Sequence, residues 1–269
     1  MSESFVLGEA GFDAAVTAVG DGAAIVFPTD TVYGIGADPF SADAVQTLLD
    51  AKHRGQDMPP PVLIAERSMM RALVASVPDS AKELARAFWP GPLTLILDVQ
   101  KSVGLQVGET RGTVALRVPD HDGARELLRR TGPVAVSSAN ISGQPSATNC
   151  ADAQQQLGES VAVYLDGGPT PGPEPSTIVD CSSDPDGVVL RLGKLSLEQL
   201  QEAVPSVRLP ELPESDAAED DPETPEQELD KTAPEDDPGT PEQELDKTEP
   251  DTEAVEAEHD AEELPTNDA

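Results

Sequence analysis

AAIVFPTDTVYG, residues 23–34, sets an apolar run of five residues against a cluster of small polar groups. The run is shorter than a helix needs and is closed by Pro28, which has no N–H to give to a ladder. Residues 23–27 therefore read as a buried strand, and residues 32–36 as its partner strand or a tight turn. The polar PTDT between them stands at a strand end, where ligand sites of α/β folds gather.

The pattern continues outward in both directions. Upstream, GFDAAVTAVG (residues 11–20) has helical spacing, with Phe12, Ala15, Val16 and Val19 on one face. Downstream, Ser41 is placed to cap a helix over SADAVQTLLDAK, with Val45, Leu48 and Leu49 turned inward. That helix delivers Lys52 and Arg54 at its C-terminal end, where cations suit the dipole. Further strands are expected at residues 62–65, 113–118, 133–137, 162–166, 176–181 and 188–192, with one inside 89–99. Helices are expected at 69–74, 80–88, 122–130, 151–157 and 196–203. Strands and helices interleave, so the fold class is α/β, one domain with a twisted mixed sheet.

Charge divides the chain. Residues 1–208 carry 15 Lys+Arg and 26 Asp+Glu, whereas residues 209–269 carry 2 and 25. The second stretch has no aromatic residue and cannot bury enough apolar surface to offset an ordering cost of roughly 1–2 kcal/mol per residue. It also holds a duplication, TPEQELDKT at 224–232 and again at 240–248, a period of 16 residues. Two copies are too few for a solenoid. The expectation is a catalytic domain over 1–208 and a disordered, acidic, low-complexity tail over 209–269. The start, MSESFVLGEAGFDAAV, has no basic n-region, and no apolar run approaches the ~18 residues that would span a bilayer, so a cytoplasmic protein without a membrane partner is expected. Cys150 and Cys181 form no paired motif, and three histidines are too scattered for a metal cluster.

Six polar clusters follow apolar strands: PTDTVYG (28–34), KHR (52–54), RVPDH (117–121), SSANISGQPSAT (137–148), PST (175–177) and LRLG (190–193). Their chemistry is shared. Lys52 and Arg54 combine a point charge with a bidentate fork, which suits polyphosphate. Ser138, Asn140 and Ser146, with Gly143 between them, can surround phosphate or ribose oxygens without bulk. Arg117 alternates away from Val114, Leu116 and Val118 and could take a carboxylate, and Thr31 and Ser176 could bracket a small polar substrate. No Walker loop, GxGxxG or HExxH pattern occurs, and no Ser-His-Asp or Cys-His pair stands out as a covalent nucleophile. The residues point to positioning and neutralising a nucleotide together with a small acid.

PTDTVYGIG, the K-x-R at 52–54, WPGPLTLIL, TVALRVPDH, SSANISGQPSAT and PSTIVD, in this order, resemble the L-threonylcarbamoyladenylate synthase family, the YrdC-like domain, over about residues 10–205. DMPPPVLI and SSANISG look most like actinobacterial members. The resemblance implies a YrdC-like domain, a twisted mixed sheet with helices around a large cavity. It implies a nucleotidyltransferase that makes L-threonylcarbamoyladenylate and pyrophosphate from ATP, L-threonine and bicarbonate or CO2, with Mg2+ accompanying ATP. A tRNA threonylcarbamoyl-transferase partner would then modify the adenosine beside the anticodon. Position by position, the resemblance assigns Lys52, Arg54, Thr113, Ser138, Asn140, Ser146 and Arg191 to ATP, with Lys52 and Arg54 catalytic. It assigns Thr31, Arg117 and Ser176 to threonine.

The chain departs from the family pattern at two positions. Some members have asparagine where Met58 stands and histidine where Leu63 stands, and longer members carry a second folded domain where this chain has its acidic stretch. A rival reading is an RNA-binding module of the same fold, which the domain's net charge of 15 - 26 = -11, its one Trp and few aromatics, and the lack of a basic stripe oppose. Another is a hydrogenase-maturation carbamoyltransferase, whose zinc-finger-like and acylphosphatase modules are missing.

Overall fold

The computed structural model describes residues 2–211; the acidic tail expected over 209–269 lies, from residue 212 on, outside the described residues. Ten strands form one sheet: β1 (Glu3–Val6), β2 (Ile25–Phe27), β3 (Gly34–Ala37), β4 (Val62–Leu63), β5 (Leu93–Asp98), β6 (Thr113–Arg117), β7 (Val134–Ser138), β8 (Val163–Asp166), β9 (Thr177–Asp180) and β10 (Val188–Arg191). Their spatial order is β1-β8-β2-β3-β7-β4-β6-β5-β9-β10. β1 and β2 both run parallel to β8, β4 to β6, and β5 to β9, while the other neighbours are antiparallel. The sheet is mixed, as the alternation of strands and helices predicts.

Among the described residues, seven α-helices accompany it: α1 (Glu9–Gly20), α2 (Ala42–Ala51), α3 (Met70–Leu73), α4 (Asp79–Phe88), α5 (Asp122–Thr131), α6 (Cys150–Leu157) and α7 (Leu197–Ala203). Strand alternation divides the core between the two faces of the sheet. Val26, Val62 and Leu116 pack with Leu48 and Leu49 of α2, Leu84 of α4 and Leu200 of α7. Ile25, Phe27 and Val136 point the other way, toward Phe12 and Ala15 of α1 and Leu127 and Leu128 of α5. Val16 of the expected α1 face is only half-buried, and Ala18 takes its place. α1 and α5 pack on each other.

Local chemistry fixes the elements nearest the functional residues. Ser41 caps α2 by accepting from the Ala44 N–H, and His121 caps α5 through its ring, accepting from the Ala124 N–H at 3.1 Å. α2 ends at Lys52, and His53 takes a left-handed φ of 52° that turns the chain toward Arg54. β3 lies close against β7: a Cβ on Gly34 would sit 2.6 Å from Val136 Cγ1, so only glycine fits there.

β1 is the one strand with no counterpart in the sequence reading. ESFV is largely exposed, without the alternation that marks a half-buried strand, and it forms by pairing with β8 some 160 residues away in sequence.

Candidate functional site

A cavity of about 450 Å³ opens on the face of the sheet that α1 and α5 leave uncovered. The floor is built by alternation. Thr113, Ala115 and Arg117 of β6 face it, as do Thr94 and Ile96 of β5 and Val136 and Ser138 of β7, while Val114 and Leu116 point into the opposite core. Thr29 and Thr31 after β2, Arg54 after α2, Pro59–Pro61 before β4, Ser146, Ser176 and Arg191 complete the walls. The site thus occupies a sheet face as well as the strand ends where it was expected.

The sequence-derived residues converge here, all but two of them on the cavity itself. Thr31, Arg54, Thr113, Arg117, Ser138, Ser146, Ser176 and Arg191 line it. Lys52 and Asn140 stand behind its wall. Lys52 is 2% exposed, and its Nζ donates to the Ser138 and Asn140 carbonyls at 2.5 and 2.7 Å. The Lys52 carbonyl accepts from the Ser142 N–H at 2.9 Å, so one residue ties the 138–142 turn at three points. Burial, and secondarily the Arg54 charge, push the Lys52 ammonium down to about 8. Asn140 donates to the Ile141 and Gln144 carbonyls at 2.9 and 2.8 Å, closing the same turn, while its Oδ1 is buried without a partner.

Three arginines dominate the electrostatics. Arg117 is 6% exposed; its Nε donates to the Gly91 carbonyl at 3.1 Å, Nη1 to Thr31 Oγ1 at 3.0 Å and Nη2 to Asp30 Oδ1 at 2.5 Å. Two of its five N–H groups make no hydrogen bond within the described residues. Arg191 donates to the Ser176 carbonyl at 2.8 Å and to Ser176 Oγ at 3.3 Å. Arg54 donates to Ser137 Oγ at 3.2 Å, while its Nε is buried without a partner. The Arg191 guanidinium is held below its ordinary value by burial and then by Arg117 and Arg54, so the three charges feel one another. Among the described residues, no carboxylate lines the cavity.

The departures from the family pattern have separate outcomes: Leu63 lines the cavity, whereas Met58 is 52% exposed and is not among the lining residues. Thr29, Thr94 and Ser137 are functional-looking positions that the sequence reading did not single out. Thr94 is a hydroxyl inside the apolar LTLILD strand, facing Ser176 Oγ at 2.9 Å. The available signal was a hydroxyl inside an otherwise apolar run, and the structure leaves it 1% exposed.

The fold and site define an α/β protein whose sheet carries an arginine-lined, acid-free cavity suited to a polyanion. The chain belongs to the Sua5/YciO/YrdC family: a family model described as "Telomere recombination" matches residues 17–193. A Mycobacterium tuberculosis protein is 50% identical over 194 residues, covering 72% of this chain and 89% of its own. The threonylcarbamoyl-AMP synthase of Bacillus subtilis is 42% identical over 183 residues, 67% of this chain and 52% of its own. Among solved structures, Pyrococcus abyssi Sua5 complexed with L-threonine superposes with a TM-score of 0.72 at 33% identity, covering 78% of this chain. This chain spans only 62% of that one.

Proposed function

We propose that this chain is an L-threonylcarbamoyladenylate synthase: it joins L-threonine, bicarbonate or CO2, and ATP into L-threonylcarbamoyladenylate and pyrophosphate. The observation that carries the reading is the convergence of Arg54, Arg117 and Arg191 on an acid-free cavity that also presents small hydroxyls. Membership of a family whose B. subtilis relative bears the synthase name supports it.

The steps follow from the walls. The amine of threonine attacks the carbon of CO2 and loses a proton, giving a carbamate. A carbamate oxygen then attacks the α-phosphorus of ATP, and the bond to the bridging oxygen breaks to release pyrophosphate. Arg117 takes the threonine carboxylate with its free N–H groups, and Thr31 and Ser176 flank it. Arg54 and Arg191 neutralise charge that grows on the phosphates, with Thr113, Ser138 and Ser146 hydrogen-bonding the nucleotide. Lys52 and Asn140 act from behind the wall by fixing the turn that presents Ser138. Leu63 contributes surface and no hydrogen bond.

Mg2+ does not fit as a protein-held ion. Among the described residues, none on the cavity wall is a carboxylate, and no three His, Cys, Asp or Glu side chains are grouped to hold a metal. We assign Mg2+ to the triphosphate and derive no step through it. Transfer to tRNA belongs, on this reading, to a partner transferase. The three arginines of α5 favour no RNA surface, since Arg125, Arg129 and Arg130 are paired with Glu66, Glu126 and Glu9. Among the described residues no helix is long and apolar enough to cross a membrane.

The test is pyrophosphate release by the full chain with ATP, with and without L-threonine and bicarbonate. Release that needs both co-substrates and falls sharply in Arg54→Ala supports the synthase. Release indifferent to threonine overturns it.

A further inference from the structure

Thr29 is not among the residues that the family resemblance assigns, yet its hydroxyl is the most constrained on the cavity wall. It is 4% exposed, and its Oγ1 donates to the Val32 carbonyl at 2.7 Å. It accepts from the Thr31 backbone N–H at 3.2 Å and faces Thr31 Oγ1 at 3.0 Å. A hydroxyl has one proton and two lone pairs. With its proton on Val32 and one lone pair on the Thr31 N–H, Thr29 can meet Thr31 Oγ1 only as acceptor. The Thr31 hydroxyl proton is therefore committed to Thr29.

The consequence passes into the cavity. Thr31 Oγ1 already accepts from Arg117 Nη1 at 3.0 Å, so its single remaining capacity is one lone pair. Beside it, Arg117 has two unused N–H donors. Asp30 holds that guanidinium in place through Oδ1, while its Oδ2 is buried without a partner. Donors for a carboxylate thus stand next to one acceptor for an N–H, which is the pattern of an α-amino acid.

We propose that Thr29 is a positioning and specificity-determining residue: by taking the Thr31 proton it makes Thr31 an obligate acceptor that reads the nitrogen of the amino-acid substrate. The inference rests on the synthase reading and deepens it. The contact outlasts carboxylation, because a carbamate nitrogen still carries one N–H. Thr29→Val keeps the shape but removes the acceptor, freeing the Thr31 proton to point into the cavity.

The experiment compares wild type, Thr29→Val, Thr29→Ser and Thr31→Val by steady-state pyrophosphate release, varying L-threonine and ATP separately. One lost hydrogen bond of this kind corresponds to a rise of about tenfold in KM for L-threonine in Thr29→Val. KM for ATP should be unchanged, and Thr29→Ser should return to wild type. Inhibition by 3-hydroxybutyrate, which is threonine without its amine, gives a second readout. Deleting the amine should weaken binding to wild type markedly and to Thr29→Val much less.

An unmoved threonine KM in Thr29→Val, a parallel rise in both KM values, or no rescue by serine overturns the proposal. If Thr29→Val does not fold, as thermal unfolding would show, Thr29→Ala is read by the same criteria. Failure of the synthase reading looks different: wild type itself then releases no pyrophosphate in response to threonine. In that case calorimetric titration of L-threonine and 3-hydroxybutyrate into wild type and Thr29→Val still decides the role of Thr29. Indifference of wild type to the amine is the overturning result.

Discussion

The floor and the rim of the cavity both use arginine, but in opposite ways. On the floor, Arg117 is buried and anchored by Asp30, Thr31 and the Gly91 carbonyl. At the rim, Arg54 and Arg191 are less buried and touch only hydroxyls and a carbonyl, with Arg54 Nε left without a partner. A buried cation left alone would be prohibitive, so the floor is neutralised inside the fold. The rim keeps its charge for a ligand. The floor is thereby a fixed template, and the rim a source of electrostatic attraction.

That contrast can be broken by mutation. Asp30→Ala strands the Arg117 charge and should destabilise the protein by about 3–5 kcal/mol in denaturant unfolding. A loss under about 1 kcal/mol would show that the floor is not held by this pair. Arg54→Ala should do the reverse, changing stability little while raising KM for ATP about 30-fold, the size expected when one charged contact to phosphate is removed. Equal stability losses in the two variants would erase the distinction.

Lys52 belongs with the floor despite its place two residues from Arg54. Lys52→Met leaves the Ser138 and Asn140 carbonyls without their donor, a loss of about 1–3 kcal/mol measurable by urea titration. The most gradual effect is a dependence on pH. Lys52 titrates near 8 in the folded protein, and an unfolded lysine near 10.4. Between those values the unfolded chain holds a proton that the folded chain has released, so stability rises with pH across that window. The slope can reach about 1.4 kcal/mol per pH unit and is absent below 8, where both states are protonated. Unfolding free energies from pH 7 to 10 should therefore climb more steeply in wild type than in Lys52→Met. Identical slopes would mean that the ammonium is not buried as described.

Where the chemistry is local, the sequence announces it. The Phe12, Ala15 and Val19 stripe, the Ser41 cap and the alternation that turns Arg117 away from Val114 and Leu116 need only neighbouring residues to be read. Half of the cavity-lining residues were legible for the same reason, since they sit in the polar clusters that follow apolar strands. The rest depends on partners far along the chain. Lys52 at a helix end looks solvated until the carbonyls 86 and 88 residues away close over it. β1 has no pattern of its own and exists through β8. Thr29 and Thr94 are neutral hydroxyls, and nothing in their neighbours says which way their protons point.

The buckle that Lys52 makes between the end of α2 and the turn after β7 has a bearing on engineering. Neither stretch carries the cavity-facing surface alone, because each supplies groups that orient the other: side-chain N–H from one, main-chain carbonyls from the other. A loop graft that copied KHR or SSANISG into a foreign scaffold would transplant residues without their geometry. The smallest portable unit is both segments together with the strands β3 and β7 that hold them in register.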